Sequence, residues 1–235
     1  MKKDFVSKKE IKQILIPIGI VIFLLLMIFL SQQFFIPMIK KQASLAMIKN
    51  HSLNVGDPLV FGNDEWNNTW RVLKIEDGKA LLINKECVDL KNRGGFLTEV
   101  DPHLSAFFMS FEYIPEDAEI THAEYWNYTG LKKWLNGEYY DNAFSQSEKD
   151  YILDNGYGNV YILSGEEVEE YIPNAAERIT KCKNWSPMPW WLRSSADYDT
   201  FIYNDYVGQS GGITDRGIIS PESNIGVRPV IWIKY

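Results

Sequence analysis

The chain has 235 residues, 46% hydrophobic and 14% aromatic, with a formal net charge of −7. The charge is unevenly spread: residues 1–50 hold eight Lys or Arg against two Asp or Glu, and the rest hold 16 against 29, a net of −13. An acidic body of that kind excludes nucleic acid as a partner, which needs a basic face, and its size suits one aromatic-rich domain of about 150–200 residues.

From Gln13 to Ile39 no residue is charged, and Ile14–Leu30 is apolar apart from Pro17 and Gly19. That length predicts a helix through the hydrocarbon core of a bilayer, which is about 30 Å thick and takes about 20 residues. A cleaved signal peptide would show an apolar region of only about 7–15 residues with a small-x-small site close behind. Here the only such site, Ser44-Leu45-Ala46, lies well past the run. Lys2, Lys3, Lys8, Lys9 and Lys12 precede the span, and Lys40, Lys41 and Lys49 follow it. The excess before the span predicts a cytoplasmic N-terminus. The expected organisation is therefore a cytoplasmic tail at 1–12, a transmembrane helix at 13–39, a mostly polar stalk at 40–54 and an extracytoplasmic domain at 55–235. The protein would then sit in the cell membrane with the bilayer as a partner and its C-terminal domain outside.

Within the domain, "PLVFGND" reads as a short strand. Trp70–Ile75 and Ala80–Val88 read as a hairpin around Asp77-Gly78, since Asp-Gly between two apolar runs is a strong turn signal. Residues 91–128 are aromatic and irregular. Thr129 is placed to cap a short helix whose Leu131, Trp134 and Leu135 share one face, with Asn136-Gly137 as its stop. Ser145 to Glu148 and Ser164 to Glu167 have capping-box spacing. The first should open a helix running through Tyr151, Ile152 and Leu153 to Asn155-Gly156. The second should open one that stops at Pro173, after a strand at Val160–Leu163. "GVRPVIWIKY" is expected as the last strand, with Pro229 at its beginning because proline has no N–H to give a sheet. Antiparallel strands with short helices and no βαβ rhythm define an α+β class.

The motifs "TWRVLKIEDGKALLINKE", "LKKWLNGEYYDNAFSQSEKDYI", "VYILSGEEVEEY", "WWLRSS" and "GVRPVIWIKY" occur in this order. Together they resemble a bacterial domain family of unknown function with W-x-V-L, L-[KR]-x-W-L-N, W-W-L-R-S and terminal G-V-R-P signatures, across residues 56–235. Such domains look like distant relatives of the C-type-lectin-like fold, which also includes sulfatase-modifying, formylglycine-generating enzymes. The resemblance implies a terminal strand paired with an early one and a late loop of the kind in which C-type-lectin-like domains often bind calcium. It does not carry the oxidase activity, because neither Cys87 nor Cys182 stands where those enzymes place their cysteines.

Candidate site residues gather late in the chain. Alternation along Trp190–Arg193 puts Trp191 and Arg193 on one side and Trp190 and Leu192 on the other. Trp191 is then expected to pack near Trp232 and Arg193 to pair with an acid, while Trp190 becomes a candidate stacking platform for a ligand. Arg193 and Arg228, with Tyr198 and Tyr203, are candidate contacts to a carboxylate or an acidic sugar group; buried ion pairing is the alternative for both arginines. Asp197, Asp199, Asn204 and Asp205 are hard oxygen ligands in a glycine-flanked segment and could hold calcium. Ser194 and Ser195 lack a base or a G-x-S-x-G turn and read as strand-end serines bonded to backbone. Cys87 and Cys182 leave two possibilities. In an oxidising exterior they could form a bridge closing about 95 residues, stabilising by roughly 4–5 kcal/mol through loop-closure entropy; otherwise they are small buried thiols. The functional expectation is a non-enzymatic recognition module, with a glycan as the favoured ligand. A hydrolase or oxidase with an unread site and a scaffold that binds a partner protein are the alternatives.

Overall fold

Asp77 and Gly78 both take positive φ, 46° and 71°. Two such residues in a row suit a turn whose twist matches the strands it joins. In the computed structural model, which describes residues 8–63, 68–91, 126–182, 187–198, 201–214 and 225–235, this turn connects β2 (Thr69–Glu76) to β3 (Lys79–Asn84). β1 (Pro58–Val60) flanks β2. On the other side β12 (Val230–Lys234) pairs antiparallel with β3, Trp232 opposite Leu81, and β5 (Ile152–Leu153) closes the order β1-β2-β3-β12-β5. The chain end is thereby locked against its first hairpin.

A second five-stranded sheet has the order β10 (Ile213–Thr214), β9 (Phe201–Val207), β8 (Trp190–Tyr198), β11 (Ile225–Val227), β4 (Asp89–Lys91). β6 (Thr180–Lys181) and β7 (Pro187–Met188) form a separate ribbon. The pairings are antiparallel except for Gly226 beside Trp190. "GVRPVIWIKY" is thus two strands, not one: β11 ends at Val227 in the second sheet and β12 starts at Val230 in the first. Pro229 cannot donate to a ladder, so the pairing breaks there and Arg228-Pro229 becomes the crossing between sheets.

Short helices cover the sheets. Thr129 Oγ1 accepts from the Lys132 N–H at 3.2 Å to start α3 (Gly130–Trp134). The chain does not stop at Asn136-Gly137. It continues through a π turn, Leu135–Tyr139, into α4 (Tyr140–Ala143), while the Asn136 amide bonds both backbone groups of Val160. Both capping boxes form. The first opens only one turn, α5 (Gln146–Lys149), because Ile152 and Leu153 leave the helix to pair with β12. The second opens α6 (Gly165–Tyr171), followed by α7 (Ala175–Arg178). The expected strand at Val160–Leu163 reduces to one bridge between Tyr161 and Val230. Trp70, Phe61, Phe144 and Tyr139 pack ring against ring at 5.7–6.0 Å. The Trp70 Nε1–H donates to the Phe61 carbonyl at 2.7 Å, so its burial leaves no polar atom unpaired.

The N-terminal expectation is corrected. Residues form α1 (Lys8–Leu30), a π turn at Ser31–Phe35 and α2 (Ile36–Lys49). Among the described residues no helix is long and apolar enough to cross a membrane, which overturns the transmembrane helix at 13–39. The run Ile14–Leu30, apolar apart from Pro17 and Gly19, rises only about 26 Å at 1.5 Å per residue, short of a hydrocarbon core of about 30 Å. It then meets the π turn, whose sequence is Ser-Gln-Gln-Phe-Phe. The polar stalk at 40–54 is also revised, because α2 and the residues after it pack into the domain. Ile48 and Leu53 are buried, and Ser44 Oγ accepts from the Val60 N–H at 2.8 Å. Lys41 Nζ lies 2.9 Å from Glu148 Oε1. Glu148 also accepts from the Gly62 N–H and from the N–H and hydroxyl of Ser145. Burial alone would raise the Glu148 pKa, but these four donors outweigh it and hold the carboxyl below its usual range.

Candidate functional site

The crossing at Arg228-Pro229 leaves a gap between β2, the end of β3, α7 and the β6–β7 ribbon. A groove of about 610 Å³ opens there. Arg71 comes from β2, Lys85 and Glu86 from the segment after β3, and Glu177 from α7; Ile179, Thr180 and Lys181 form the facing wall. Two ion pairs cross its rim, Arg71 Nη2 to Glu177 Oε2 at 2.6 Å and Lys181 Nζ to Glu86 Oε1 at 3.3 Å. Both are solvated and contribute little stability. Ile179 stays exposed beside them, an apolar face among polar neighbours.

Arg228 lies at the inner end and is buried. Its Nε donates to the Asn84 carbonyl at 2.9 Å, Nη1 to Arg178 at 3.4 Å and Nη2 to Lys85 at 3.5 Å. Its guanidinium carbon is 5.1 Å from the Trp190 ring centre. Burial pulls the guanidinium down to about 10, and nearby Arg71 adds to the fall. No carboxylate bonds it among the described residues, so the ion-pairing alternative for Arg228 is not what the geometry gives.

Trp190 is corrected as a stacking platform. It is 0% exposed, its Nε1–H donates to the Arg178 carbonyl at 3.0 Å, and Arg228 covers its ring. A ring with no open face cannot stack on a ligand. Trp191 is buried as well, edge-on to Tyr206 at 6.5 Å, and β8 lies in the sheet that does not contain Trp232. Alternation failed to separate the two tryptophans because both faces of β8 are covered here.

Arg193 is partnered as the acid-pairing alternative has it. Its Nη2 lies 2.7 Å from Glu167 Oε1. Its guanidinium carbon sits 3.7 Å from the Tyr157 ring centre, and its backbone N–H donates to Leu163. Glu167 Oε2 meanwhile takes the Ser164 N–H of the capping box at 2.9 Å. Ser194 Oγ accepts from the Gly165 N–H at 3.0 Å and so bonds backbone at the first turn of α6.

Of the calcium candidates, Asp205 is buried at the end of β9 near Gly165. Asp199 and the side chains of Asp197 and Asn204 lie outside the described residues, as do those of Tyr198 and Tyr203. No group of three His, Cys, Asp or Glu fit for a metal occurs among the described residues. Cys87 and Cys182 are brought side by side in a parallel bridge, both buried and with no disulfide between them. The side-chain hydrogen bond with Cys182 and burial push the Cys87 thiol well up. Gly226 packs on this pair: a Cβ there would overlap Cys87 Sγ. Glycine in G-V-R-P is thus required by close approach.

The groove residues Arg71, Lys85, Glu86, Glu177 and Ile179 escaped the sequence reading. They are ordinary surface residues from three separate segments, and only Arg228, a charge inside an apolar motif, signalled the place. Compared with known proteins, the chain matches no family profile, no curated protein and no solved structure.

Proposed function

We propose that the domain is a recognition module that binds its ligand, a glycan by preference, in the groove beside Arg228 without turning it over. The observation that carries this reading is the groove itself. Its volume of about 610 Å³ falls in the range of roughly 300–1,000 Å³ typical of small-ligand sites. Its walls suit a sugar: Ile179 and Pro187 offer apolar contact to a C–H face, and Thr180 with the rim charges offers partners to hydroxyls. The resemblance of the motifs to lectin-like relatives points the same way, by analogy alone.

The test is a glycan array with the full chain, repeated with Ala176→Trp. Ala176 lines the groove and is exposed on α7, so a tryptophan there blocks the groove without entering the core. The expected result is retention of a defined glycan set by the natural chain, its loss in the variant, and recovery of the glycan chemically unchanged. Binding of no glycan, or binding that Ala176→Trp leaves intact, contradicts the reading.

A further inference from the structure

We infer that the inner end of the groove is an anion subsite in which Arg228 takes the carboxylate of an acidic sugar. This rests on the groove reading and adds the chemical class of its ligand. A guanidinium has five N–H donors in a planar fork. Arg228 gives three hydrogen bonds to carbonyls, two of them at 3.4 and 3.5 Å, the outer limit of such bonds. Carbonyls carry no charge, so among the described residues its positive charge has no anionic partner in a buried place, which is costly. Arg193, by contrast, has Glu167 and Glu148 has Lys41, while buried Arg178, like Arg228, donates to carbonyls, those of Ile172 and Pro173.

Among the described residues the neighbours do not supply an anion. Glu177 is taken by Arg71 and Glu86 by Lys181. Counting the charged residues of the lining, Arg71, Lys85, Lys181 and Arg228 stand against Glu86 and Glu177, a local excess of two positive charges. The chain after residue 50 carries −13. A positive cleft in an acidic body focuses its field on small anions and draws them in. Arginine suits a carboxylate in particular, because its two parallel N–H groups match the two oxygens. A purely structural Arg228, bracing the carbonyls of Asn84, Lys85 and Arg178 at the sheet crossing, would make no distinction between acidic and neutral sugars.

Titration calorimetry of the full chain with glucuronate, glucose and inorganic phosphate tests this. Glucuronate should bind about tenfold tighter than glucose or more, since a hydrogen-bonded charge pair in a partly dry site is typically of that size. Arg228→Lys should reduce that ratio to about threefold or less by removing the fork. Should Arg228→Lys fail to fold, Lys85→Glu and Glu177→Gln replace it. Both change exposed rim charges, and they should respectively weaken and strengthen glucuronate binding with glucose unchanged. Equal affinity for glucuronate and glucose, both lost in Ala176→Trp, overturns the anion subsite and leaves the groove reading standing. Phosphate bound as tightly as glucuronate overturns the assignment to a sugar acid. No binding of any of the three overturns subsite and groove reading together.

Discussion

Arg193 and Arg228 make a natural pair to compare. Each lies in an apolar motif, each is covered by the fold, and each has its guanidinium near an aromatic ring, Tyr157 at 3.7 Å for one and Trp190 at 5.1 Å for the other. Their regions differ in one respect. Helix α6 begins beside Arg193 and brings Glu167, which its capping box has already oriented. The crossing at Arg228 offers, among the described residues, only carbonyls. An arginine among hydrophobic residues is therefore no ligand signal by itself. The nearest acid decides, and sequence distance hides it: Glu167 is 26 residues from Arg193.

The largest effect that can break this comparison is at Trp190. Truncation to alanine removes the ring beneath Arg228 and should cost about 3–5 kcal/mol, the usual loss for a buried tryptophan. Thermal unfolding should show it as a sharp fall in Tm. A variant that melts like the natural chain would mean that the ring is not buried. Next comes Glu167→Gln. It leaves Arg193 with no acid and should cost about 1–3 kcal/mol, with ligand affinity in the groove unchanged. A loss of glucuronate binding here would erase the distinction between the two regions.

A third closed region sharpens the contrast. Glu148 is 1% exposed and fully bonded. Its folded pKa is lowered, so its stabilisation is present above the ordinary carboxyl range and is lost as pH falls through the folded value. Glu148→Gln should cost about 1–2 kcal/mol at neutral pH, and the difference from the natural chain should narrow steadily in acid. A constant difference across that range would mean that the carboxylate charge is not used. The smallest effect belongs to Lys85→Ala, an exposed substitution expected within about 0.5 kcal/mol in denaturant unfolding. A larger loss would make the rim part of the fold.

How much of this could be read beforehand varied with the range of the interaction. The Asp77-Gly78 turn and both capping boxes were legible because their chemistry is complete within four residues. The pairing of the last strand with an early one was implied by the motif resemblance, and the early partner is β3. What escaped depended on partners far along the chain. Ile152 and Leu153 looked helical until β12 offered them ladder bonds. The split of "GVRPVIWIKY" hinged on Pro229 standing between two sheets instead of at one strand's start. Trp190 looked exposable because alternation assumes one wet face, and β8 has none at that point. The groove was invisible for the same reason: its walls meet only when the β6–β7 ribbon folds back over Lys85 and Arg71.

The central claim is that Arg228, and not Arg193, is the arginine left for a ligand. The most direct measurement follows the side-chain Nε–H resonances of both arginines by NMR during a glucuronate titration of the full chain, assigned with Arg228→Lys and Arg193→Lys. The account predicts that the Arg228 signal shifts and saturates while the Arg193 signal stays in place. A saturating shift at Arg193, or none at Arg228 at concentrations that fill the groove, would contradict it.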